Sequence, residues 1–286
     1  MEINQSVYVI RLLWVFPGLR RNIASEIHTY FSTSPLLLAA LPASLSLYNP
    51  QSAQLTLLPR PQTLPTDSLL LLLNYRVAAA FNAAEVTNQV FTVSLGSNTV
   101  RQLPVMLSTR KRPAVVQSAG VLYLFGGWDG SYLRDCERLS LLEGQWRPLP
   151  QLTARCSSLC PAKYKGDIYL QRRYTLTYVE VFNIHTLTFR ELKVVGEDRT
   201  IGWLPMCFVF EEELIVLSDK ESFWRGSIAG DSEISLQQSK KIRTASPISF
   251  ACLPVLVGSQ AFWLDTQGVL QTLDINTQTL TGKSIS

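Results

Sequence analysis

The chain has 286 residues, 47% of them apolar and 17% charged, a balance that suits many short buried strands and excludes a disordered chain. Its net charge of +4 and pI near 8.8 are mild for this length and do not point to nucleic acid. The odd count of five cysteines rules out complete pairing within the chain, and each thiol stands in or beside a predicted strand, which places the protein in a reducing compartment, the cytoplasm.

The first 33 residues differ from the rest. Residues 7–16 are a β-prone apolar run stopped by Pro17-Gly18. Leu19, Ile23, Ile27, Tyr30 and Phe31 then recur at helical spacing with Arg20, Arg21 and Glu26 between them, which predicts one amphipathic helix. This strand and helix (1–33) either pack on the remainder (34–286), complete its first unit, or dock a partner. Glu2 precedes any basic residue and Arg11 interrupts the apolar run, so no secretory signal is expected. Residues 35–48 contain two prolines and residues 69–81 contain Asn74 and Arg76, so neither run supplies the ~18 uninterrupted apolar residues of a membrane span.

From residue 34 onward the chain repeats. Apolar runs that close each unit centre on Thr56, Arg101, Trp146, Phe189, Ser235 and Leu280, in steps of 45, 45, 43, 46 and 45. The preceding strand centres on Leu47, Phe91, Leu139, Glu180, Arg225 and Leu273. Turn-forming residues separate the two, among them Asn49-Pro50, Gly96-Ser97-Asn98, Glu143-Gly144 and Asp274-Ile275-Asn276. Earlier strands centre on Ala79, Tyr123, Tyr169, Ile215 and Phe262, and innermost ones on Leu71, Val116, Pro161, Cys207 and Pro254. The first unit, 34–59, shows only three strands, its innermost one being unidentified. A period of this length means stacked supersecondary units sharing one continuous core.

The third unit is the most distinctive. In residues 121–150, VLYLFGGWDGSYLRDCERLSLLEGQWRPLP, an alternating apolar strand meets Gly126-Gly127, a second strand and turn follow, and a third strand carries Trp146 before a proline-rich exit. This pattern resembles one kelch repeat. The resemblance implies an all-β, six-bladed kelch-type β-propeller, with Trp146 buried between blades. It also implies a scaffold for protein partners, as in ubiquitin ligase substrate adaptors or subunits of larger complexes. The first 33 residues are too short to hold a whole F-box module.

A second period is polar. Arg112, Arg155, Arg199 and Arg243 precede the innermost strands of units three to six, spaced 43, 44 and 44. In kelch propellers an arginine commonly precedes that strand, and some members bind acidic peptides on the matching face. Four planar guanidinium groups around one opening would recognise carboxylates. The same arginines could instead bond backbone carbonyls and hold blades together, and the two roles are compatible. Arg110 and Lys111 add charge nearby, and Trp128 is either an exposed anchor or a packing ring.

Chemistry of the catalytic kind is poorly supplied. Copper oxidases such as galactose oxidase share the kelch-type fold, but they need several His and Tyr ligands, and His28 and His185 belong to the N-terminal helix and an outer turn. A zinc site needs about four ligands, and neither histidine lies near Cys156 and Cys160. No Walker-type loop, dinucleotide fingerprint or calcium loop is present. The expectation is therefore a non-catalytic scaffold without metal or cofactor, whose partner is a protein or acidic peptide. The competing readings are an enzyme or small-ligand binder using the central channel, and a subunit of a ribonucleoprotein assembly.

Overall fold

In the strand Val121–Phe125, Leu122 and Leu124 point one way and Tyr123 and Phe125 the other, and all four are buried. A strand buried on both faces must lie between two other layers. The computed structural model supplies both. It describes residues 37–40, 44–49, 54–64, 68–74, 77–156, 159–172, 177–195, 206–217, 223–230, 232–238, 254–264 and 269–284. Leu122 and Leu124 pack with Ala79 and Phe81 of the preceding unit, while Tyr123 and Phe125 pack with Ile168 and Leu170 of the following one.

Six sheets follow in chain order. The first holds β1 (Leu37–Ala40), β2 (Ser44–Asn49) and β3 (Gln54–Pro59). The second holds β4 (Ser68–Asn74), β5 (Val77–Asn82), β6 (Val90–Ser94) and β7 (Thr99–Gln102). The third holds β8 (Ala114–Ser118), β9 (Val121–Phe125), β10 (Cys136–Ser140) and β11 (Gln145–Leu149). The fourth is β12 (Cys160–Tyr164), β13 (Asp167–Gln171), β14 (Tyr178–Asn183) and β15 (Thr188–Val195). The fifth has β16 (Met206–Phe210), β17 (Glu213–Leu217) and β18 (Phe223–Ser227), and its outer segment is split into β19 (Glu233–Ser235) and β20 (Gln237–Gln238). The sixth is β21 (Val255–Val257), β22 (Gln260–Leu264), β23 (Val269–Asp274) and β24 (Thr279–Ser284).

Each apolar cluster is built by two successive sheets, so the core runs around the ring rather than sitting inside any one sheet. This explains the continuous apolar runs in the sequence, since a strand with a neighbour on each face has no polar side to show. Each fully buried leucine or phenylalanine contributes about 1.5–3 kcal/mol. Phe125 adds ring contacts from the third sheet to Phe182 and Phe189 of the fourth, at centroid distances of 5.3 and 6.1 Å. Trp146 is buried as expected, and its Nε1 donates to the Pro104 carbonyl at 2.7 Å, tying the third sheet to the connection that enters it.

The expected six blades are corrected to five. Five sheets have four or more strands, whereas the first has three among the described residues. By the period, β1 to β3 take the second to fourth places of a unit, so its first place would fall before Leu37, outside the described residues. The amphipathic helix expected over 19–31 lies outside them too, and no α-helix occurs among the described residues. β1 packs against both β4 and β22, which brings the first sheet beside the last and closes the ring sheet against sheet.

The fifth blade's outer segment departs from the simple repeat. β19 pairs in parallel with β15 of the fourth blade, and β20, two residues further on, pairs antiparallel with β18 of its own. β15 is the outermost strand of its blade, so the edge facing away from β14 is open to β19. The segment thereby stitches two blades together, and Val194 and Ile234 are buried beneath the stitch.

At the innermost strands of the same two blades, the Cys207 amide donates to Cys160 Sγ at 2.9 Å and Cys207 Sγ donates to the Cys160 carbonyl at 3.0 Å. None of the four described cysteines is in a disulfide. Burial pushes the Cys136 thiol up to about 12 and raises that of Cys207 well above the usual range. At pH 8 a thiol four units below its pKa is thiolate in only about one molecule in ten thousand. Native protein treated with iodoacetamide at pH 8 should therefore keep Cys136 and Cys207 unmodified over a time in which denatured protein alkylates fully. Peptide mass spectrometry reads the result, and rapid native labelling of either residue would show that the hub is open.

Candidate interaction face

In a four-stranded antiparallel sheet, the connection after the second strand and the one leaving the fourth emerge at the same end. At that end of blades two and three, the segment Arg110-Lys111-Arg112 is held from both sides. The Arg110 amide donates to the Thr87 carbonyl at 2.9 Å, in the loop between β5 and β6. Lys111 and Trp128, in the loop between β9 and β10, exchange backbone bonds of 2.9 and 3.0 Å. Gly126-Gly127 makes this approach possible. Both have positive φ, 59° and 117°, and a Cβ on Gly126 would collide with the Cys156 carbonyl.

Arg112 also has positive φ, 53°, uncommon for a residue with a Cβ. The segment consequently turns there, and its two arginines part company. Arg110 is 1% exposed and Arg112 is exposed. Arg110 Nη1 donates to the Gly126 and Asp135 carbonyls at 2.7 and 2.8 Å, and Nη2 to Glu137 Oε1 at 2.6 Å. The other oxygen, Glu137 Oε2, accepts the Leu107 amide at 2.7 Å. Burial raises the Glu137 carboxyl above its ordinary value, against the pull of Arg110 and of backbone amides. Arg110 is thus an internal clamp, which corrects the expectation that it adds to the surface charge.

The fourth blade repeats the device with a different cation. Glu180, fully buried on β14, accepts the Thr153 amide at 2.6 Å and pairs with Arg172 Nη2 at 2.8 Å. Glu137 and Glu180 both occupy third strands, and Leu107 and Thr153 both lie on the connections entering the blade. Two buried glutamates therefore pin the loops of this face. Sequence reading gave them no role, yet a signal was there: each is the one carboxylate of its strand, at a spacing that matches the repeat.

Of the four arginines expected at the site, Arg112 and Arg155 fall within the described residues, while Arg199 and Arg243 lie outside them. Arg112 Nε donates to the Ala83 carbonyl at 3.1 Å and Arg155 Nη1 to the Tyr132 carbonyl at 3.4 Å. In each case an arginine entering one blade reaches a loop of the blade before, and both side chains stay exposed. Trp128 is half-buried, with Lys111 Nζ 4.5 Å from its ring centroid. Lys111 Nζ also donates to the Ala84 carbonyl at 3.1 Å.

The same face carries exposed apolar surface. Among the described residues, Val86, Val105, Leu107, Tyr132 and Tyr178 are exposed at this end, and Leu142 at the other. A cavity of about 330 Å³ opens at that other end between blades four and five, lined by Tyr164, Lys165, Asp167, His185, Arg190 and Glu212. Its ions neutralise one another, Asp167 with Arg190 at 3.0 Å and Lys165 with Glu212 at 2.8 Å. No group of three or more His, Cys, Asp or Glu among the described residues could hold a metal ion. Nor is any helix among them long and apolar enough to cross a membrane.

A closed ring of antiparallel sheets with its longer loops gathered at one end is a β-propeller. Residues 109–153, from the Arg110 connection through the whole of blade three, match the Kelch motif, so this part of the propeller is similar to the repeat of kelch propellers, which are commonly scaffolds for protein interaction. No curated protein matches the chain.

Proposed function

We propose that this propeller is a non-catalytic scaffold of the cytoplasm, an adaptor or complex subunit that binds a protein through an acidic segment laid on the loop face. Arg112, Arg155, Arg199, Arg243 and Trp128 are the contact residues. One observation carries the reading: Arg112 and Arg155 stand exposed on the connections entering successive blades, each bonded to a loop of the blade before. That anchoring fixes where the guanidinium group sits while most of its donors still face solvent, the arrangement that planar carboxylate recognition needs. Described cysteines outside any disulfide suit a reducing compartment.

The experiment is quantitative affinity purification with wild type and an Arg112→Ala, Arg155→Ala variant. Exposed side chains bonded to exposed carbonyls contribute little to folding, so the thermal midpoint should hold, with a stability change within about 0.5 kcal/mol. Recovery of at least one partner should fall about tenfold or more, as expected for loss of about 1.4 kcal/mol of binding. Equal recovery of every partner by the two proteins would overturn the proposal, and unfolding of the variant would return both arginines to a purely structural role.

A further inference from the structure

Leu103-Pro104-Val105-Met106-Leu107 and Leu149-Pro150-Gln151-Leu152-Thr153 lie 46 residues apart, on the connections entering blades three and four. The two backbones are held alike. Met106 and Leu152 are buried, and their amides donate to the Asn88 and Arg134 carbonyls of the blade before, at 2.8 and 2.9 Å. Leu107 and Thr153 each give their amide to a buried glutamate, Glu137 and Glu180, at 2.7 and 2.6 Å. The outward side chains differ in kind. Gln151 and Thr153 are polar and bonded, Gln151 Nε2 to Asp135 at 2.7 Å and Thr153 Oγ1 to Glu191 at 2.6 Å. Val105 and Leu107 stand in the same places 48% and 57% exposed. A connection that folds with glutamine and threonine has no need of valine and leucine for its own packing, so their exposure has another reason. Val86, 39% exposed, joins them, since it precedes Thr87 and Asn88, whose carbonyls accept the Arg110 and Met106 amides. Three of the six exposed large apolar side chains among the described residues thus fall on two bonded segments, which makes them a patch rather than a scatter. Residues 99–113 carry Arg101, Arg110, Lys111 and Arg112 with no carboxylate, and residues 82–89 carry Glu85 alone. Glu137 takes up Arg110, so three cations stand against one acid around the patch.

We infer that the joint of blades two and three is the apolar anchor of this face, and that its occupant is a short segment of a protein partner in which large apolar residues are flanked by carboxylates. The apolar residues cover Val86, Val105 and Leu107, and the carboxylates meet Lys111 and Arg112. The inference rests on the loop-face reading above and locates where the segment is held. The bond from the Leu107 amide to Glu137 fixes the connection before the partner arrives, so little ordering is lost on binding.

A random peptide display library selected on the immobilised full chain supplies the probe, and fluorescence anisotropy of the enriched peptides supplies the readout. Val105→Gln with Leu107→Thr copies the next connection into this one, so the thermal midpoint should stay where it is. Enriched peptides should carry large apolar residues beside Asp or Glu, and the copied connection should weaken them by about tenfold or more. Val86→Ser, on the other segment, gives an independent loss should the copied connection disturb the fold, and Arg112→Ala should weaken the same peptides. Enriched peptides without apolar residues, equal binding by wild type and the copied connection, or no enrichment would overturn the inference. Purely acidic peptides that are weakened by Arg112→Ala with Arg155→Ala, and not by the copied connection, would leave the arginine face standing without this anchor. Peptides weakened by the copied connection yet indifferent to both arginine substitutions would sink the loop-face reading, and the inference with it. Sedimentation of the chain alone reads the other occupant: a dimer that the copied connection dissolves would give the patch to a second copy and overturn the inference.

Discussion

Replacing Glu137 by alanine should lower the stability of the propeller by about 3–5 kcal/mol, because it strands a buried cation. Arg110 is 1% exposed, so water cannot take over from the lost carboxylate. Its two bonds to the Gly126 and Asp135 carbonyls remain, but they leave the charge uncompensated and the Leu107 amide without its acceptor. The surface pair Arg147–Glu143 is the control. Both side chains are half exposed, and Glu143→Ala should cost less than about 1 kcal/mol. The raised pKa of Glu137 shows that desolvation already weighs on this pair. An Arg110→Met, Glu137→Leu double variant should accordingly recover most of the loss, since apolar replacement of a whole buried pair is often neutral or better. Urea midpoints of the four proteins decide the matter. A single-variant loss below about 1 kcal/mol would mean that the clamp is solvated.

Gly126→Ala should cost about 2–4 kcal/mol, the sum of two effects that can be separated. The first is the left-handed backbone, φ +59°, worth roughly 1–2 kcal/mol for a residue with a Cβ. The second is collision of that Cβ with the Cys156 carbonyl, which cannot withdraw freely because it accepts the Gly127 amide at 2.9 Å. Gly120→Ala isolates the first effect: φ is +75° there and a Cβ would meet nothing within 4 Å. Gly96→Ala should be nearly silent, with ordinary φ and open space. If Gly126→Ala costs no more than Gly120→Ala in urea unfolding, the close approach of blades three and four at this point is looser than its geometry implies.

These experiments probe the part of the molecule that was hardest to foresee. Every expected outer-strand centre, from Thr56 to Leu280, falls inside an observed strand, because strand formation follows a two-residue pattern that neighbouring side chains already display. Trp146 was placed in the core by its position in the repeat. Arg110 was not, since Arg110 and Arg112 read alike two positions apart in an extended segment. The positive φ of Arg112 breaks that equivalence, and it arises from loops of two different blades gripping the residues before it.

The all-β repeat with its strand centres, and the sequence spacing of Arg112 and Arg155, were written in the chain itself, since both depend on residues close together or on a constant period, whereas the six blades counted from that period became five. Tertiary contact decided which arginine is clamped by Glu137 and which reaches solvent, that β19 leaves its own blade for β15, and that the first sheet lies against the last. Each of these outcomes is set by the fit between neighbouring sheets, where an unpaired buried charge or an open strand edge costs more free energy than any local preference supplies.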